Sequence, residues 1–324
     1  MTEPVCLKPA SAAAQSCRSP PGKPDWRVVG ILLTGTFLAV LDFFIVNVAI
    51  PDLQRDLNAS AAQIQLIVAG YALAYGSALI VGSRLGDIYG RRRMFIPGLA
   101  LFTTSSAACG LAPNAGVVVL ARGMQGLSAA LLSPQILAIL SSLYEGTAMA
   151  PALNAYGLCM GMASVFGQVV GGLLIHIDLF GWGWRSCFLI NLPIGPVAIA
   201  LALRIVPESR APIRPQLDLT GMIVISLALF AATLPLIEGR EQGWPLWSWL
   251  SMAGAAVLFV VFVVYENRLK LSGAFPPIDF SLFSERPFAV GLLAQLIFLV
   301  GSHSDAAWLR ESCLKPHTPA RPSL

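Results

Sequence analysis

The chain has 324 residues, of which 56% are hydrophobic and only 12% charged, with a formal net charge of +4. Soluble domains carry roughly twice that charge fraction, and several apolar runs reach the ~20 residues a bilayer-spanning helix needs. The runs are continuous rather than alternating, which excludes a β-barrel as well as a soluble globular domain.

Residues 1–26 are rich in Pro, Ser and Ala and are expected to form a disordered cytoplasmic tail. They are not read as a secretory leader, because the first apolar run starts at Val28 and is too long for an h-region. Spans are expected at 28–50, 64–82, 94–112, 116–140, 154–176, 186–206, 218–237 and 247–265, with a shorter ninth at 287–301. Lys and Arg number fourteen in the tail and in the connections on its side, against three (Arg55, Arg185 and Arg240) on the other. That asymmetry places the N-terminus in the cytoplasm. The basic residues lie in short connections, so the net charge is a topology signal and no nucleic-acid partner is expected.

The first span carries Asp42, about 21 Å along a helix from Val28. A carboxylate at that depth is costly unless it faces a cavity or a cation. Two readings stand: a proton carrier, or a structural hydrogen-bonding residue near a helix kink. Between the second and third spans lies Ser83–Arg93, S-R-L-G-D-I-Y-G-R-R-R, with four arginines and one aspartate in eleven residues. It is expected to be a short polar loop at a membrane face.

The fourth span holds Arg122 in an otherwise uncharged run, with Gln125 and Gly126 on the same helix face. Arginine stays charged at any accessible pH. Arg122 either turns inward to couple with Asp42 or snorkels to the outer interface. The fifth span has two G-x-x-x-G pairs, Gly157/Gly161 and Gly167/Gly171, with Gly172 beside the second. Such spacing allows close helix packing. Gln168 in the same run is a candidate to line a path. Trp182 and Trp184 read as interfacial anchors before the sixth span. Six cysteines without a C-x-x-C pair (Cys6, Cys17, Cys109, Cys159, Cys187, Cys313) and three scattered histidines suggest neither a disulfide frame nor a metal site.

The expected organisation is an all-α polytopic membrane protein. After the tail come a six-helix bundle at 27–206, a Pro-studded linker at 207–217 and two additional helices within 218–265. A cytoplasmic loop at 266–286, a partial ninth span at 287–301 and a polar tail at 302–324 complete it.

Taken together these stretches resemble the major facilitator superfamily. The loop signature G-x-L-[GA]-D-x-x-G-[RK]-[RK] is matched at Leu85, Gly86, Asp87, Gly90, Arg91 and Arg92, with Ser83 at its first position and Gly82 one residue early. The first-span pattern L-D-x-x-x-V-N-x-A-x-P is matched at Leu41, Asp42, Val46, Asn47, Ala49 and Pro51, and R-x-x-Q-G at Arg122, Gln125 and Gly126. In the fifth span Gln168 follows Gly167 where the antiporter signature has proline. The run Gly183–Gly195 is similar to a segment of the 14-span drug:proton antiporter branch, the EmrB/QacA type. So are Leu217–Gly221, Glu238–Trp244 and Pro277–Phe288.

The resemblance implies efflux of a small organic compound driven by a proton gradient, with no other cofactor and no enzyme activity. It implies a bacterial-type inner membrane location and a lipid bilayer as the protein's surroundings. Asp42 and Arg122 would carry proton coupling, and Leu85, Gly86, Asp87, Gly90, Arg91 and Arg92 would form a conformational gating loop. Asn47, Gln125, Gly126, Gly157, Gly161, Gly167, Gln168, Gly171 and Gly172 would line a cavity or pack helices. Uptake, as in sugar-type members, is a runner-up that the Gly-rich fifth span and the central helix pair disfavour. The ninth run reaches only about 22 Å, and Ser302–Leu324 is polar. The expectation is a truncated product, a frameshift near Gly301, whose missing C-terminal half is needed for activity. The alternative is a non-transporting fragment that acts by association with a partner.

Overall fold

Short polar side chains open four of the long helices among the described residues. The computed structural model describes residues 24–178, 181–210, 218–239 and 242–271, together with 286, 290, 291, 293 and 294. Asp25 accepts a hydrogen bond from the Arg27 amide and opens α1 (Trp26–Leu57), and Asn58, at φ 48°, closes it. Ser60 and Gln63 form a reciprocal capping box at the start of α2 (Ala61–Tyr89). α3 (Arg91–Gly110) follows after Gly90 alone. Asn114 caps α4 (Ala115–Leu143), and a 3₁₀ turn at Gly146–Ala148 leads into α5 (Met149–Ile177).

The expected sixth span is broken. A 3₁₀ turn at Gly183–Arg185 runs into α6 (Ser186–Leu189) and then α7 (Asn191–Ile205). Pro193 has no N–H to offer the carbonyl four residues back, which accounts for the irregularity. Asp218 caps α8 (Leu219–Glu238), and α9 (Leu246–Leu271) completes the hairpin.

Among the described residues six segments are long and apolar enough to cross a membrane: α1, α2, α4, 146–177, 183–205 and 246–269. α3 does not reach that apolarity, and α8 is an apolar helix of 20 residues. α3 opens on three arginines and carries Thr103, Thr104, Ser105 and Ser106. Thr103 and Thr104 satisfy their hydroxyls on backbone carbonyls one turn back.

Two further expectations need correction. Residues 266–271 are the last turn and a half of α9 rather than loop, because Glu, Arg and Lys extend a helix past its apolar run. Trp26, placed in the tail, is the first residue of α1. The tail at 1–23, the linker at 211–217 and the polar tail at 302–324 lie outside the described residues.

α1 and α4 form the middle of the bundle. α2 and α3 flank α4, α5 lies along α1, and α7 packs on α3. Two apolar clusters fill it. One is built on Leu32, Phe95, Leu99, Phe102, Leu132 and Ile136, the other on Ile45, Leu53, Ile67, Val118 and Phe188. α8 and α9 pair with each other, and α8 lies against α2. All of this belongs to one compact unit, Met1–Pro277; in the second unit, Ile278–Leu324, the five described residues are helical.

Candidate functional site

The polar centre of the bundle is assembled from four helices. Asp42 on α1 is fully buried and accepts three side-chain hydrogen bonds. Arg122 Nη1 of α4 donates to its Oδ2 at 2.5 Å. Gln125 Nε2 donates to its Oδ1 at 2.9 Å, and Asn191 Nδ2 of α7 to the same oxygen at 3.0 Å. Gln125 lies three residues after Arg122, on its face, and its Oε1 accepts from Arg122 Nη1 at 2.8 Å. Asn191 also donates to Ser106 Oγ of α3 at 2.8 Å, and Ser106 passes a bond on to the Phe188 carbonyl at 2.9 Å.

Arg122 is bonded through Nε and Nη1, while its buried Nη2 has no acceptor among the described residues. Its Nε donates to the Ile67 carbonyl of α2 at 3.1 Å, and its guanidinium lies 4.4 Å from the Tyr71 ring centroid and 5.9 Å from that of Phe188. The side chain is 0% exposed, so it turns into the bundle and does not snorkel outward. Removing two charges from water costs several kcal/mol per ion. Close Coulombic contact, hydrogen bonds and aromatic faces offset that cost here. The pair is neutral while Asp42 is ionised. A proton on Asp42 cancels the attraction and leaves Arg122 as an unbalanced buried cation.

The second expected site is not a loop. Leu85, Gly86 and Asp87 belong to the last turns of α2, Gly90 is the whole connection, and Arg91 and Arg92 are the first turn of α3. The correction has a local cause. Gly90 adopts φ 115°, ψ 134°, a conformation that L side chains rarely adopt, and lets the chain break and restart a helix within one residue. Arg91 Nη2 donates to Asp87 Oδ1 at 3.2 Å across that break, and Arg91 Nη1 donates to the Ala138 carbonyl of α4 at 2.7 Å. Leu85 is half-buried.

The segment after α7 closes on the same place. Glu208 Oε1 accepts from the Arg92 amide at 3.1 Å, and its other oxygen lies 3.8 Å from both the Arg92 and Arg93 Nε atoms. Arg92 Nη1 donates to the Val206 carbonyl, and the Arg91 amide to the Ser209 carbonyl. A Cβ on Gly90 would lie 2.7 Å from Glu208 Oε1. Part of the expected linker, 207–210, is thus tied to the start of α3.

Close helix approach concentrates on α2 and α4. A Cβ at Gly82 would lie 2.1 Å from the Ala130 carbonyl oxygen, one at Gly86 1.7 Å from Gln135 Oε1, and one at Gly126 2.3 Å from the Tyr71 carbonyl oxygen. Gln135 Nε2 donates to the Gly82 carbonyl at 2.7 Å. On α5, Gly167 and Gly171 meet α1 at Leu41, Phe44 and Ile45, whereas Gly157 and Gly161 face open space. Gly172 makes an ordinary contact with Val48. Asn47 and Gln168 are exposed and do not join the Asp42 cluster; Asn47 donates to the Phe44 carbonyl of its own helix. Sequence reasoning singled out neither Asn191 nor Ser106, Tyr71 or Glu208 as site residues. Asn191 sits inside a quoted motif, and that was its only signal.

The family model "Major Facilitator Superfamily" matches residues 32–309, a stretch that runs past Gly301. The chain is 40% identical over 282 residues to the "Probable actinorhodin transporter" of Streptomyces coelicolor, covering 87% of this chain and 49% of that protein. It is 33% identical over 279 residues to the "Tetracenomycin C resistance and export protein" of Streptomyces glaucescens, covering 85% and 50%. Among solved structures, the human organic anion transporter MFSD10 matches with a TM-score of 0.52 at 16% identity, over 65% of this chain and 55% of that one, which supports the fold alone. The chain spans about half the length of the curated relatives it matches.

Proposed function

The chain belongs to the major facilitator superfamily, and from that premise we propose that it is the N-terminal part of a proton-coupled exporter of small organic compounds. It is a multi-pass integral membrane protein. The observation that carries the coupling reading is the fully buried Asp42–Arg122 pair, in which one titratable group balances one permanent cation. Loading a proton on Asp42 removes the counter-charge of Arg122, leaves its Nη1 bonded to Gln125 Oε1 alone, and leaves Gln125 and Asn191 to reorganise around a neutral carboxyl. This gives the bundle two discrete arrangements that a proton can select between. The relatives named for actinorhodin transport and for tetracenomycin C resistance and export support outward movement and an organic substrate.

In this reading the basic end of the bundle, carrying Arg91, Arg92 and Arg93, lies in the cytoplasm of a bacterial-type inner membrane. The Asp87–Arg91 pair and Glu208 hold α2, α3 and the post-α7 segment together there and act as the gating element. Substrate in such folds sits between two bundles near the midplane, so the opposing surface comes from a second bundle. Exposed apolar side chains on α4 and α5, such as Leu120, Met124, Leu158 and Val165, are available to face it.

The test is efflux from proteoliposomes under an imposed pH gradient, using a fluorescent cationic dye and a polyketide. It is run on this chain alone and on this chain together with the C-terminal half of the S. coelicolor relative. Export that collapses with the gradient and with Asp42→Asn is expected in the second arrangement. Undiminished gradient-driven export by Asp42→Asn would falsify the coupling assignment. Accumulation of dye against the gradient would reverse the direction in favour of uptake.

A further inference from the structure

The α8–α9 hairpin carries a second acidic site, away from Asp42, with Glu266 buried and Asp218 half-buried. Asp218 Oδ1 is occupied: it accepts from the Gly221 amide at 3.0 Å and from the Tyr265 phenol at 2.8 Å. Asp218 Oδ2 has no hydrogen-bond donor among the described residues. Glu266 on α9 is 1% exposed, and neither of its carboxylate oxygens has a donor among the described residues. The two side chains meet over Gly221. A Cβ there would lie 2.3 Å from Asp218 Oδ2 and 3.4 Å from Glu266 Oε1, so the missing side chain is what leaves room for both.

Among the described residues the charged and titratable groups facing Glu266 are few. Asp218 faces it from α8, Arg84 from α2 and Tyr265 from α9 itself. Arg268, further along α9, is exposed, and Asp87 of α2 is engaged by Arg91. Two carboxylates and one guanidinium leave a net negative charge, and three of the four carboxylate oxygens have no donor among the described residues, a costly arrangement. One proton, taken from the aqueous phase, brings the three groups to neutrality. It also turns Glu266 from an acceptor into a donor, opposite the one free acceptor on Asp218.

We propose that Asp218 and Glu266 form a proton-binding carboxylate pair, separate from Asp42, in which Glu266 holds the proton and shares it with Asp218 Oδ2. Loss of that proton leaves Arg84 as the nearest counter-charge and draws the hairpin toward α2. The pair therefore links the protonation of α8–α9 to the end of α2 that carries Asp87. The inference does not rest on the export reading.

Infrared difference spectra of the full chain in phospholipid nanodiscs, stepped in pH, test it through the C=O band of protonated carboxyls. A component of that band is expected at neutral pH. It should survive Asp42→Asn, disappear in Glu266→Gln, and persist to a pH about one unit higher in Arg84→Gln. If Glu266→Gln does not fold, Asp218→Asn carries the test: without the second carboxylate the component should vanish at a pH about one unit lower. Absence of the band from the unaltered chain, or its indifference to Glu266→Gln and Asp218→Asn, overturns the proposal. Loss of the whole band in Asp42→Asn assigns the proton to the other cluster and overturns it equally.

Discussion

Asp42 and Arg122 meet at 0% side-chain exposure across two helices, whereas Asp87 and Arg91, at 24% and 14%, meet across a single glycine. The chemical groups are the same in both places. What differs is how far water can stand in for a lost partner. In the bundle centre nothing replaces Asp42 if it is removed, and Arg122 becomes a buried charge without a counter-charge. At the α2–α3 junction solvent and Glu208 share the load. The first pair is an all-or-none element, and the second is a graded fastening.

The largest effect should come from Asp42→Ala, which ought to destabilise the chain in detergent by about 3–5 kcal/mol. The double change Asp42→Leu with Arg122→Met should cost much less than the single one. A denaturant titration followed by tryptophan fluorescence reads both. If Asp42→Ala costs no more than Asp87→Ala, the contrast between the two pairs is wrong.

Next in size is Gly82→Val, since its Cβ would lie 2.1 Å from a backbone oxygen of α4. About 1–3 kcal/mol is expected, as for overpacked interiors, and α2 should separate measurably from α4 by spin-label distances. Unchanged distances and stability would show that the helix contact is looser than described.

Gly90→Ala combines a left-handed backbone with contact against Glu208 and should cost about 1–2 kcal/mol. The loss should appear as faster amide exchange in the first turn of α3 and not in α4. The smallest effect belongs to Glu208→Gln, about 0.2–1 kcal/mol and fading as salt is raised. A salt-independent loss would place Glu208 in a drier environment than its 22% exposure implies.

The sequence made the charged half of the centre legible, because an aspartate and an arginine stand out inside apolar runs. Gln125 could be read from its helical spacing to Arg122. The neutral half was not legible. Asn191 and Ser106 are 149 and 64 positions from Asp42, and nothing local distinguishes a buried asparagine from one at a helix end. The junction departs from the expected loop for a related reason. A dense run of charge reads as loop, yet helices continue through charge once they leave the apolar layer, and only Gly90 marks the break. Gly82 was set aside as one residue out of register with a signature, although with Gly86 it makes the tightest approach to α4. Gly157 and Gly161 have the same spacing and face open space, because spacing alone does not say which face meets a neighbour.

The long reach of the Asp42–Arg122 contact also bears on how the chain enters the membrane. Arg122 follows Asp42 by 80 positions. At about 5–20 residues per second, the ribosome delivers it roughly 4–16 s later. During that interval α1 carries an aspartate whose insertion alone costs about 2.5–3.5 kcal/mol, and its leucines, isoleucines and valines must outweigh the charge without help. α4 meets the opposite problem with an arginine and finds its partner already in place. The two charges therefore meet unequal conditions: α1 must carry its aspartate on its apolar residues alone, whereas α4 brings its arginine to a counter-charge that already exists.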